Sequence, residues 1–296
     1  MILTVGDSVC WGQGLLEEHK FDFLYAKAKG MALTRAAHSA AVIGMPTDSS
    51  TEVENGEIPV GPPSVWQQVL AQTDWPEIKL VLLNGGLNDV GLTRILSPWT
   101  STVQLEAWVN QFCNSAMHDL LEAVAGKLAL PQARIAVLGY YPILSPSSKT
   151  AEIQVRSLLE VHGVATISVL ANDQFSFSAI LPRVVDNCIT FWNSSNDAFQ
   201  TAVDSVNRKL GRDICVFIKL PLTEANALWS PQSLLWGLTP ALLPEDEVAD
   251  SRGRECEALY GDVVHIAQRI QCARASVGHP NIQGAAKIAD AISLAL

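Results

Sequence analysis

Short apolar runs and longer stretches of helical spacing alternate along this chain, and few architectures besides a parallel sheet accommodate that order. Ile2–Val5 reads as the first strand and residues 32–36 as a weaker second. Residues 79–84 (KLVLLN) form a third, apolar enough to be buried on both faces. Residues 134–140 (RIAVLGY) and 214–220 (ICVFIKL) complete five. Helices are predicted over residues 63–73, 103–130, 198–210, 256–275 and 283–296. The first has Pro and Ser at its start, and the third repeats Phe199, Val203, Val206 and Leu210 at helical spacing. The expectation is one α/β domain over residues 1–296, with extended loops or an inserted cap within 145–258. That region holds the polar run Asn193-Ser194-Ser195-Asn196-Asp197 and an aromatic stretch from Leu228 to Trp236.

Composition excludes several partner classes. Twenty Lys and Arg against thirty Asp and Glu give a net charge of −10, which disfavours nucleic acid and anionic lipid surfaces as general partners. Charged residues make up 17%, below the ~25% of ordinary soluble domains, so a generous core is expected. No stretch approaches the ~20 apolar residues of a membrane span. Met1 runs directly into Ile2-Leu3-Thr4-Val5, leaving no room for a signal peptide, so the expected location is cytoplasmic, or the chain is a piece of something longer. Cysteines 10, 113, 188, 215, 256 and 272 include no CxxC pair, which argues against a zinc knuckle and a disulfide scaffold. Most are expected reduced and packed as small hydrophobes.

Open parallel sheets place their ligands at the carboxyl ends of the strands. The first strand ends in Gly6-Asp7-Ser8, the second runs into His38-Ser39-Ala40, and the third ends in Gly85-Gly86-Leu87-Asn88-Asp89. Gly278-His279-Pro280-Asn281 precedes the last helix. A serine, a side-chain amide and a histidine thus converge on one edge, as acyl transfer requires. Each alone has a plainer meaning: Gly-Asp-Ser as a helix cap, Asn-Asp as a turn, His-Pro as extended chain. All of them together, each at an element end, make the plain meaning a poor account.

In these blocks the chain resembles the SGNH (GDSL) hydrolase superfamily. Gly6-Asp7-Ser8 matches the first block and Gly86-Leu87-Asn88-Asp89 the third. His279, followed by Pro280-Asn281, resembles the last. The resemblance implies a three-layer α/β/α, flavodoxin-like fold with sheet order 2-1-3-4-5. It also implies carboxylic ester hydrolysis without metal or cofactor, through an acyl-enzyme on Ser8 with His279 as general base. The oxyanion donors it implies are the backbone N–H groups of Ser8 and Ala40 and the side-chain amide of Asn88. The substrates it covers include lipids, thioesters and carbohydrate acetates.

Two departures stand out. Ala40 occupies the glycine position of the second block. An alanine held at positive φ costs roughly 1 kcal/mol. Ser276 stands three residues before His279, where the family carries an aspartate. A Ser8–His279 dyad is therefore expected, oriented by a backbone carbonyl, by the Ser276 side chain, or by another carboxylate such as Asp262. Trp11, Trp229 and Trp236 are candidate walls of an apolar substrate pocket. His19, His38, His118, His162 and His265 show no paired metal-ligand spacing and read as surface or core residues. The missing acid motivates one rival, a non-catalytic binding protein on the same fold for a small molecule or carbohydrate. A nucleotide binder is a weaker rival, since Gly12-x-Gly14 is only a fragment of a phosphate loop.

Overall fold

The computed structural model describes residues 1–49, 55–148, 152–162 and 177–296. Five strands form one sheet: β1 (Ile2–Val5), β2 (Leu33–Arg35), β3 (Leu80–Leu83), β4 (Arg134–Leu138) and β5 (Cys215–Ile218). All neighbours are parallel and the order is β2-β1-β3-β4-β5. Helices cover both faces, giving three α/β/α layers. β1 and β3 are buried along their whole length, which is why their sequences lack alternation.

Crossovers between parallel strands are right-handed. The step from β1 to β2 runs opposite to the later ones, so its helix α2 (Phe21–Lys29) lies on the other face, packed with the C-terminal helix. On the facing layer lie α3 (Val65–Leu70) and the small helices α4 (Leu87–Val90) and α5 (Leu92–Leu96). There too a continuous run comprises α6 (Thr102–Val109), a π-helical segment (Asn110–Ala116) and α7 (Met117–Lys127). After β4 come α8 (Glu152–Val161) and α9 (Phe177–Leu210), then past β5 α10 (Ala249–Tyr260), α11 (Ile266–Ala273) and α12 (Ile282–Ala295).

Two predicted elements differ from those observed. α9 starts about twenty residues before the predicted 198, because the polar run at 193–197 is helical rather than a break. Asn196 is buried there and brackets the end of β4, accepting from the Tyr140 N–H and donating to the Tyr140 carbonyl, both at 3.2 Å. α9 therefore belongs to the layer against β5, α5, α6 and α7. Within 145–258, residues 149–151 and 163–176 lie outside the described residues. The predicted helix 256–275 is split into α10 and α11 by a turn at Gly261–His265 that Asp262 caps, accepting from the N–H groups of Val264 and His265.

A disulfide, Cys256–Cys272, joins α10 to α11 across a sequence separation of 16, contrary to the expectation of reduced cysteines for this pair. Folding, not local spacing, brings the two thiols together. Cys10, Cys113, Cys188 and Cys215 are free and buried.

Candidate active site

Parallel register places Val5 opposite Leu83 and Thr4 opposite Arg35, so the segments after β1, β2 and β3 leave at one edge. There Gly6 turns the chain at φ 142°, and a methyl group on it would collide with Asn84. Gln68 of α3 clamps the turn, accepting from the Gly6 N–H at 2.7 Å and donating to the Gly6 carbonyl at 3.0 Å. α3 is held for that purpose by a capping box between Ser64 and Gln67. Asp7 then caps α1 (Ser8–Trp11) by accepting from the Val9 N–H at 2.9 Å, while its own N–H donates to Asn84 Oδ1 at 3.1 Å. Ser8 is thereby presented at the first position of a helix.

Asp7 also accepts from the Tyr140 hydroxyl at 2.6 Å, and that hydroxyl accepts from the Leu87 N–H at 3.0 Å. One buried chain of hydrogen bonds thus ties the Ser8 turn to the Asn88 helix. Burial pushes the Asp7 carboxyl up to about 6, against the hydrogen bonds it accepts.

His279 Nε2 lies 2.7 Å from Ser8 Oγ. Its Nδ1 lies 3.2 Å from the Ser276 carbonyl, which also accepts the His279 backbone N–H at 2.9 Å. A carbonyl can only accept, so the proton sits on Nδ1 and Nε2 is left to accept from the Ser8 hydroxyl. The ring is in the tautomer a general base needs. The loop is braced from the aromatic stretch: the Trp236 N–H donates to the His279 carbonyl, and the Trp236 carbonyl accepts from the Gly278 N–H.

Burial pushes the His279 imidazole down to about 4; the carbonyl of Ser276 works the other way, and Arg252 and His162 add to the depression. Below that pKa the ring is protonated and cannot accept the serine proton, so activity is lost as pH falls through it. The acidic limb of kcat/KM is expected near pH 4 rather than at the ordinary 6.5. A pH–rate profile on a non-ionising ester checks this; a limb at or above 6.5 would contradict it.

The oxyanion candidates face the same cavity of about 300 Å³, lined by Ser8, Ala40, Asn88 and His279 among others. Among described residues the N–H groups of Ser8 and Ala40 bond to nothing, and Asn88 uses one amide hydrogen on the Ala41 carbonyl at 2.9 Å. Ala40 sits at φ 62°, so the alanine adopts the left-handed conformation that its glycine counterpart would take freely. Asp89 secures the loop by accepting from the Ile43 N–H at 2.9 Å.

Other predicted site residues lie elsewhere. Asp262 is more than half exposed and bonds His265 Nδ1 at 2.8 Å; the turn that it caps carries it away from His279. The Ser276 hydroxyl points away from the imidazole, donating to Asp246 at 2.5 Å; only its carbonyl serves the ring. Trp11 donates to Glu57 at 2.9 Å and lies under the Lys20 ammonium. Neither it nor Trp229 nor Trp236 lines the cavities at Ser8. Their apolar character packs the core instead.

The lining residues that sequence reasoning passed over are both polar and apolar, with Pro59, Val60, Leu87 and Leu92 among the latter. Thr93, His162, Tyr260, Gln268 and Gln271 wall the larger cavity. Behind Ser8 and His279 lies a smaller space of about 40 Å³, lined by Leu87, Leu92, Leu96, Tyr140, Tyr141, Ile143, Leu158 and Val277. No cluster of His, Cys, Asp or Glu able to hold a metal occurs among the described residues.

No protein-family model matches the chain, and no curated protein matches it. Solved structures do resemble it. One is a carbohydrate esterase family 2 enzyme with a carbohydrate-binding domain from Corynascus thermopiles (Myceliophthora fergusii). It is 14% identical at a TM-score of 0.44, over 99% of this chain and 64% of that one. A family two carbohydrate esterase from Clostridium thermocellum, in complex with cellohexaose, is 13% identical at a TM-score of 0.40, over 78% and 57%. An acetyl xylan esterase from the rumen bacterium Butyrivibrio proteoclasticus is 13% identical at 0.32, over 75% and 55%. The chain therefore spans less than two thirds of the length of the structures it resembles. The first two are named as family 2 carbohydrate esterases and the third as an acetyl xylan esterase.

Proposed function

We propose that this chain is an SGNH-type serine hydrolase of carboxylic esters. The observation that carries the reading is the 2.7 Å contact of His279 Nε2 with Ser8 Oγ, with Nδ1 committed to a carbonyl. Ser8 Oγ bonds to the ester carbonyl carbon while its proton passes to Nε2 and the carbonyl π electrons move onto oxygen. The oxyanion is received by the Ser8 and Ala40 N–H groups and the free Asn88 amide hydrogen. Collapse breaks the bond to the alcohol oxygen, which takes the proton from His279. Water then repeats the sequence and releases the acid.

The cavities favour a short acyl group over a lipid chain. A space of about 40 Å³ holds roughly three water-sized bodies, about the size of an acetyl group. The larger cavity sets Thr93, Gln268 and Gln271 among Pro59, Val60, Leu87 and Leu92, and so offers hydrogen-bond partners to an alcohol of mixed character. Trp11, Trp229 and Trp236 line neither cavity. The Cys256–Cys272 disulfide favours an oxidising compartment over the cytoplasm. No helix among the described residues is long and apolar enough to cross a membrane.

A fluorophosphonate probe tests the reading. Folded protein is expected to be labelled, with labelling lost in Ser8→Ala. A p-nitrophenyl series is expected to show acetate favoured over octanoate by at least about tenfold, the scale at which ~1.4 kcal/mol of barrier separates substrates. Folded protein that never labels would favour the binding-protein reading, which the lack of a carboxylate on His279 motivates. Asn88→Ala is expected to lower kcat by about 10²–10³ with KM little changed, because the contact strengthens as charge develops on oxygen. A raised KM with kcat intact would reassign Asn88 to the turn.

A further inference from the structure

Among the described residues no carboxylate touches His279, yet its proton transfer creates a cation in a site that disfavours one. Behind Ser276, whose carbonyl holds the ring, lies a buried charge cluster. Arg252, on α10, is completely enclosed and is among the largest buried side chains. Its guanidinium forks onto Asp246, with Nη2 donating to Oδ2 at 2.6 Å and Nη1 to Oδ1 at 3.0 Å. Nη1 also donates to Glu57 at 2.6 Å, Nη2 to Ser276 Oγ at 3.1 Å, and Nε to the Ala273 carbonyl at 3.1 Å. Ser276 Oγ donates in turn to Asp246 at 2.5 Å. Glu57 is filled from its other side by Trp11 Nε1, Gln13 Nε2 and the Gly14 N–H.

Two features separate this cluster from an ordinary buried ion pair. One guanidinium faces two carboxylates. It also grips Ser276, the residue whose carbonyl holds Nδ1 of the imidazole. We propose that Asp246, Arg252 and Glu57 form a positioning brace that replaces the triad acid at one remove. The brace fixes the Ser276 carbonyl beneath Nδ1–H, and Asp246 offsets part of the charge by which Arg252 disfavours the imidazolium that forms as Ser8 attacks. This rests on the hydrolase reading above.

The titratable and charged groups bearing on the ring are His162 at the end of α8, Arg252 on α10 and Asp246 in the loop before it. His162 and Arg252 disfavour its protonation and Asp246 favours it. Removing the Asp246 charge leaves Arg252 less compensated. The sign follows: His279 in Asp246→Asn must be harder to protonate, not easier.

The test is a titration of the imidazole nitrogens by ¹⁵N NMR beside kcat and KM, on wild type, Asp246→Asn and Glu57→Gln. Asp246→Asn is expected to move the His279 titration about one unit lower and to reduce kcat by ten- to a hundredfold, with KM within about twofold. Glu57→Gln, which keeps a side chain able to bond Arg252's neighbours, is expected to move both in the same direction by less. A purely structural disturbance lowers activity without this downward shift. If Asp246→Asn does not fold, Glu57→Gln decides alone. Folded variants with the wild-type titration and kcat, or with a titration moved upward, overturn the brace. Fluorophosphonate labelling of the same samples keeps the two ideas apart: unlabelled wild type removes the hydrolase reading, whereas labelled wild type with unmoved variants removes only the brace.

Discussion

His279→Ala is expected to lower kcat on an activated acetate ester by on the order of 10⁵–10⁶, and adding Ser8→Ala should cost nothing more. Groups that act as one unit are grossly non-additive, because the nucleophile is worthless without its base and the base without its nucleophile. Here the unit has two members, since the third position offers only the Ser276 carbonyl. What remains in either variant is the slow rate that the oxyanion donors and substrate binding give to attacking water. The measurement is kcat for both single variants and the double, with circular dichroism to show that each folds. A double variant much slower than either single one would mean that Ser8 and His279 work independently, and the dyad would be wrong.

Arg252→Met should be the most destabilising single change at the site, by about 3–5 kcal/mol at neutral pH. Methionine keeps most of the length but leaves Asp246 and Glu57 as buried charges without a cation. The Glu57 carboxyl is already pushed up by burial, and Arg252 is the first influence that opposes this. Without it, Glu57 holds its proton more tightly in the folded chain than in the unfolded one. A raised carboxyl pKa stabilises the fold at low pH and loses that contribution as pH rises through it. The deficit of Arg252→Met should therefore shrink on going from pH 7 towards pH 5. Urea unfolding of both proteins at the two pH values measures it. A deficit of about 0.5 kcal/mol or less, the scale of an ordinary surface change, would mean that the cluster has little hold on the fold.

What could be read from the sequence follows from what a short segment can encode. Ser8 and Asn88 sit where strands end, and strand ends are marked by local composition. His279 precedes a helix that its own Asn281 caps, accepting from the Gly284 N–H at 3.0 Å. The sheet was legible because β3 is apolar throughout and β1 and β4 each carry only one polar residue, although each observed strand is shorter than or equal to its predicted run. The second layer of the site was not legible. Glu57 and Arg252 are 195 residues apart and look like surface charges until the fold buries them. Asp262 is the natural acid on sequence grounds because it is close to His279 along the chain, but a helix break decides where it points. The tryptophan stretch announced an apolar cap. Its backbone, not its rings, serves the histidine, through hydrogen bonds that any residue could make.

The Ser8–His279 contact joins residues 271 positions apart. During synthesis the nucleophile therefore emerges long before its base. The β1–β3 pairing needs only residues up to 83, so a sheet with Ser8 already at its edge can form well before the histidine loop exists. That loop is braced by residues 234–236, which also follow far behind the nucleophile. On the proposed reading, competence for acylation is therefore a readout of translation carried past residue 279. A chain halted or clipped anywhere before that point is mute towards a serine-directed probe, however well its early strands have formed.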